Sequence, residues 1–149
     1  MPPLLKILLG IGIGYLALVV VIQLLTRGID APGIVDGQLA PVTGKPNCVS
    51  SETDAEAFFV EPLAMKDSLD ETQAALLVAL EELGGKVQLG EDYMHATFTS
   101  RLLRFVDDLE CRIDEPTKII HIRSASRLGY SDLGANRKRV EALHETYNK

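Results

Sequence analysis

From Ile7 to Leu25 the chain runs through 19 residues without a charge, and only Gln23 is strongly polar. No other feature constrains the fold so tightly, because a run of this kind has few places to go in water. As a helix it spans about 28 Å at 1.5 Å per residue, close to the roughly 30 Å thickness of a bilayer's hydrocarbon layer. A cleaved signal peptide is the competing reading. Its apolar region would be shorter, about 7–15 residues, and would end at a small-residue cleavage site. The following QLLTRGID offers no such site, and no cysteine follows closely enough for a lipoprotein. The expectation is an uncleaved, single-pass transmembrane anchor over residues 1–26. Lys6 and the amino terminus precede the run, whereas Arg27 is soon followed by Asp30 and Asp36. The positive-inside rule then favours the N-terminus in and the domain out, which in a bacterium with two membranes is an inner-membrane protein with a periplasmic C-terminal domain. Gly10, Gly14 and Ala17 share one face of this helix, small enough to let another membrane helix approach.

Residues 27–47 read as a flexible linker, with Gly28, Gly33, Gly37 and Gly44 interleaved with Pro32, Pro41 and Pro46 and no sustained periodicity. Fully extended, a stretch of this length reaches roughly 70 Å, and as a coil nearer 25 Å. Residues 48–149 remain for a single domain with one modest core. A net charge of −6 argues against a general nucleic-acid binder, so no nucleic-acid partner is expected.

Within the domain, Cys48-Val49-Ser50-Ser51 opens the fold and Phe58-Phe59-Val60 is a possible short strand. Ser68 and Glu71 form a capping box ahead of a helix whose stripe is Leu69, Leu76, Leu80 and Leu83, stopped by Gly84-Gly85. Two strands follow, Lys86 to Gly90 and Tyr93 to Ser100. In the second, Met94, Ala96 and Phe98 point inward, opposite Tyr93, His95, Thr97 and Thr99. Asp114 to Lys118 separates two more strands, and a last helix begins near Ser131 with a stripe of Leu133, Val140, Leu143 and Tyr147. The fold class is therefore α+β: a two-layer domain with an antiparallel sheet of about four strands, two helices on one face and a charged face left open.

The last two strands carry most of the charge. A tight turn at Glu115-Pro116 sets Asp107 opposite Ser124, Asp108 opposite Arg123 and Glu110 opposite His121. A two-residue slip keeps the same faces and changes these partners. Asp107 falls on the apolar face and needs a partner, for which Arg137 or Asn136 on the last helix is expected, with Ser124 and Ser126 filling the remaining hydrogen bonds. Asp108 lies on the outer face, where mutually paired charges are the ordinary outcome. A sharper alternative is an anion pocket of Arg123, Arg127 and Arg137 beside the Gly129–Gly134 turn.

Other chemistry has less to build on. His95, Glu110 and His121 would form a two-histidine, one-carboxylate row, but only in that register, and no metal or other cofactor is expected. Ser50, Ser51, Ser124 and Ser126 lie outside any G-x-S-x-G elbow, so hydrolysis ranks last. Cys48 and Cys111 are the only cysteines. They are open to pairing in an oxidising compartment, or to remaining buried thiols.

CVSS at Cys48–Ser51, the FVDDLE run and RSASRLGYSDLGANRKRVEAL resemble the family of domains of unknown function numbered 1499. The resemblance extends over roughly the last two-thirds of the chain. It implies a small bacterial domain, often membrane-anchored, and no activity that can be carried over. The positions that match are Cys48, Ser50, Phe105, Asp107, Asp108, Arg123, Ser124, Ser126, Arg127, Gly129, Asp132, Gly134, Asn136 and Arg137. Together these readings lead to a membrane-anchored accessory or binding protein, a non-catalytic partner of other membrane proteins. The alternative is a binder of an anionic small molecule or lipid headgroup.

Overall fold

The computed structural model describes residues 2–149. The apolar run forms helix α1, Pro3–Thr26, with Pro2 before it and prolines suited to a first turn, where an N–H would go unpaired anyway. Its mean hydropathy is 2.5 over a window only 6% buried, so by length and composition it fits a membrane span or a signal sequence.

The domain is α+β, with a six-stranded antiparallel sheet where the sequence led us to expect about four strands. Strands β5 (Lys86–Leu89), β6 (Tyr93–Thr99), β7 (Val106–Asp114) and β8 (Ile119–Ser126) form the expected meander. The extra two are short. β3 (Cys48–Ser50) and β4 (Leu63–Ala64) pair with opposite halves of β8 along its outer edge. The stretch Phe58–Val60 is not a strand: a 3₁₀ turn over Glu56–Phe58 leads into a single bridge between Phe59 and Ser50.

Helices α2 (Leu69–Glu82) and α3 (Ala135–Tyr147) lie on one face of the sheet. The Ser68 hydroxyl accepts from the Glu71 amide at 3.2 Å and starts α2, as the capping box requires. Leu76 and Leu80 are fully buried, and with Val140, Leu143 and Tyr147 they meet Met94, Ala96, Leu109, Cys111, Ile120 and Ile122 in one core. Where α2 ends, Gly85 has no room for a side chain, because a Cβ there would sit 2.8 Å from the Phe98 ring. Leu133 is not in the stripe. α3 starts after it, at Ala135 behind the cap residue Gly134, and leaves Leu133 91% exposed.

The register is the two-residue slip. A four-residue turn at 115–118, closed by Lys118 at φ +60°, sets Asp114 opposite Ile119. Asp107 therefore faces Ser126, Asp108 faces Ala125, Glu110 faces Arg123 and Arg112 faces His121.

The segment expected to be a featureless tether holds a hairpin. β1 (Ile34–Val35) and β2 (Gln38–Leu39) turn through Asp36-Gly37, both at positive φ. This is the two-residue Asp-Gly geometry that matches the twist of paired strands. The hairpin lies over the outer face of β7 and β8, so that face is not open. Leu39 and Ala40 are buried there.

Candidate functional site

Asp107 and Asp108 are neighbours in β7, so their side chains leave the sheet on opposite faces. Each nucleates a polar cluster.

On the helical face, Asp107 Oδ2 accepts from Arg139 at 2.7 Å. Arg139 also donates to Asn136 Oδ1 at 2.7 Å and stacks on the Phe98 ring at 4.6 Å. Asn136 is fully buried and organises the rest. Its Oδ1 accepts from the Ser124 hydroxyl at 2.6 Å, and its Nδ2 donates to the Asn47 carbonyl, Ser126 Oγ and Asp132 Oδ2. Asp132 in turn accepts from the Gly134 and Asn136 amides and so closes the start of α3. The expected partner of Asp107 is thus replaced. Arg139 takes that place, while Arg137 points to the loop after β3 and donates to the Phe59 and Ala57 carbonyls.

On the outer face, Asp108 accepts from both Nε and Nη2 of Arg127 at 2.8 Å, and its Oδ1 lies 2.6 Å from His95 Nε2. Burial pushes the Asp108 carboxyl up, but the hydrogen bonds from His95 and Arg127 outweigh it and hold the group below the usual carboxylate value. Beside it, fully buried Glu110 accepts from Arg123 at 2.7 Å, from the Tyr93 hydroxyl at 2.8 Å and from the Gly33 amide at 2.8 Å. Burial, and then the Glu110 charge, drives the Tyr93 phenol well above its ordinary value. A third group lies towards the turn. Glu52 pairs with Arg112 and accepts from the Leu39 amide at 2.6 Å, with His121 Nδ1 3.7 Å away. Burial lowers the His121 imidazole despite the adjacent Glu52 carboxylate.

The geometry places the residues of each chemistry raised by the sequence. Arg123 and Arg127 are bound by Glu110 and Asp108 on one face of the sheet. Arg137 belongs to the helices on the other face, so the three do not converge on one pocket. The slipped register puts Arg123, not His121, after His95 and Glu110, which dissolves the histidine row. Among the described residues no group of three or more potential ligands is placed to hold a metal ion. Ser124 is tied to Asn136 and Arg139, Ser50 Oγ accepts from the Glu52 amide and Ser51 Oγ from the Ile122 amide, with no histidine bonded to any of them. Cys48 pairs with Ala125 on the outer face and Cys111 points into the core, so the sheet stands between the two free thiols. Burial raises both, Cys111 to about 12.

Gly10, Gly14 and Ala17 lie on an exposed stretch of α1, and a Cβ added at either glycine would meet nothing within 4 Å. Sequence reasoning missed Arg139, His95 with Asp108, and the hairpin's two amide contacts. The Asp36-Gly37 dipeptide between Ile34-Val35 and Gln38-Leu39 was a usable signal for the hairpin.

A family model described as "Protein of unknown function (DUF1499)" matches residues 38–146. The chain belongs to that family. The matched stretch begins inside the hairpin, at Gln38, and ends within α3, so DUF1499 encloses the six-stranded sheet and the side chains of both polar clusters. No curated protein matches this chain. The DUF1499 resemblance took in Asp107, Asp108, Arg123, Ser124, Ser126, Arg127, Asp132 and Asn136, and these side chains all take part in the paired networks described above.

Proposed function

We propose that this protein is a single-pass membrane-anchored accessory or binding protein. It sits in the bacterial inner membrane with its DUF1499 domain on the periplasmic side, as a non-catalytic partner of other membrane proteins. The observation that carries the reading is α1, a 24-residue helix of mean hydropathy 2.5 that contributes almost nothing to the domain's core. Apolar surface on that scale is stable in lipid and costly in water. The polar clusters support a binding role over catalysis, because their charges are spent on one another and fix the sheet, hairpin and α3 as a unit. Lys6 and the amino terminus before the helix, against the single Arg27 directly after it, favour the outward domain.

Helix-to-helix contact is the proposed mode of assembly, through Gly10, Gly14 and Ala17. The test is purification of the full chain from membranes in mild detergent, with Gly14→Leu and Ala17→Leu variants alongside. Stoichiometric proteins that accompany the native chain and are lost from the variants agree with the reading. A native chain that always runs alone sinks it.

A further inference from the structure

We propose that the domain rests on the bilayer by one end, with Leu102, Tyr130 and Leu133 seated in the headgroup layer of an anionic phospholipid membrane. This rests on the anchor reading above. The first support is the tether. Asp30, Ala31 and Gly33 already line a cavity of about 310 Å³ with Tyr93, His95 and Arg127, and the Gly33 amide is bonded to Glu110. Free chain therefore runs only from Thr26 to Asp30, which spans at most about 14 Å. The domain cannot swing far from the membrane, and the side of the sheet where Asp30 meets Arg127 is held close to it.

That end is anomalous in composition. The β6–β7 loop and the β8–α3 loop meet there, joined by the Arg127 amide on the Val106 carbonyl and by a shared cavity of about 170 Å³. Leu102 is 75% exposed, Tyr130 71% and Leu133 91%. Arg101 and Arg104 flank the leucine pair and are exposed. Of the acids nearby, Asp107 and Asp132 are consumed by Arg139, Asn136 and the start of α3, and exposed Asp30 faces Arg127 across the neighbouring cavity. Leucine and tyrosine among free arginines is the make-up of an interfacial contact. With a net charge of −6, the rest of the chain is repelled by an anionic surface, which orients this end towards it.

The Tyr15 hydroxyl donates to the Leu102 carbonyl at 2.6 Å, which brings α1 alongside the same loop. Tyr15 lies about 16 Å along the axis from Thr26. An inserted helix would carry Arg101 and Arg104 into hydrocarbon at that depth, so insertion releases this bond and the loop settles at headgroup level.

The experiment uses the full chain in vesicles of phosphatidylcholine and phosphatidylglycerol. A fluorophore is placed through Leu102→Cys or Tyr130→Cys, with Val78→Cys on α2 as reference; the two native thiols are buried and stay unlabelled. Lipid-borne nitroxide is expected to quench positions 102 and 130 several-fold more than 78, and aqueous iodide to quench them less. Equal quenching at all three positions, in a chain that resists alkaline carbonate, overturns the docking and leaves the anchor standing. A chain that carbonate releases overturns both.

Discussion

Glu110 joins the three parts of this domain: its own strand, the neighbouring strand through Arg123, and the hairpin through Gly33. Glu110→Ala would leave the Arg123 guanidinium, 4% exposed, without its counter-charge. Removing one partner of a buried ion pair costs about 3–5 kcal/mol, because the remaining charge stays desolvated. The lost bonds from the Tyr93 hydroxyl and the Gly33 amide are worth about 1 kcal/mol each, partly regained as water reaches the loosened hairpin. A total near 5 kcal/mol, with a urea slope of about 2 kcal/mol/M, moves the unfolding midpoint down by about 2.5 M. Three of the four tyrosines lie in the domain and the chain has no tryptophan, so tyrosine fluorescence of the full chain in micelles follows the domain's unfolding. Amide exchange at Gly33 should accelerate in the same variant. Glu110→Ala combined with Arg123→Met should recover at least half of the loss, since the stranded charge is gone. A midpoint shift below about 0.5 M, worth about 1 kcal/mol, would show that water screens the pair and would refute the reasoning.

Three further outcomes are expected. Both thiols should resist alkylation at pH 8 in the folded chain and react fully in urea, and a native mass 2 Da low, as in a disulfide, would contradict their placement on opposite faces. His121 has a folded value below 6.5, so its contribution to stability is fully present above pH 6.5 and is lost as pH falls below it. Unfolding midpoints at pH 7.5 and 5.5 should therefore converge in His121→Gln, and an unchanged difference would remove His121 as the cause. Gly85→Ala should cost about 1–3 kcal/mol by forcing a methyl against the Phe98 ring and the Leu80 carbonyl, read as a fall in melting temperature; a neutral result would mean that the Phe98 ring yields freely.

Much of the fold was legible because side-chain alternation survives errors in pairing. Met94, Ala96, Leu109, Cys111, Ile120 and Ile122 face the core in either register, so the layers followed from the sequence. The partners did not follow. They depend on whether the turn after Asp114 holds two residues or four, and Glu115-Pro116 satisfied the shorter reading until Lys118 adopted φ +60°. That slip moved Glu110 from His121 to Arg123 and turned an apparent histidine row into a buried ion pair. On α3, Asn136 and Val140 share a face, and Arg139 flanks it closely enough to reach Asp107, whereas Arg137 turns towards the Phe59 carbonyl. Starting the stripe at Leu133, a residue outside the helix, misplaced that choice. The short strands β3 and β4 exist only because β8 offers an edge, which local sequence does not display. The hairpin was hidden for a different reason: its Asp36-Gly37 turn lies among prolines and glycines that made the whole segment read as coil.

The anchor carries the functional account, and intact-mass measurement on carbonate-washed membranes tests it most directly. The account predicts a membrane-retained chain that still contains residues 3–26. A chain shortened past Thr26 and released into the wash would contradict it.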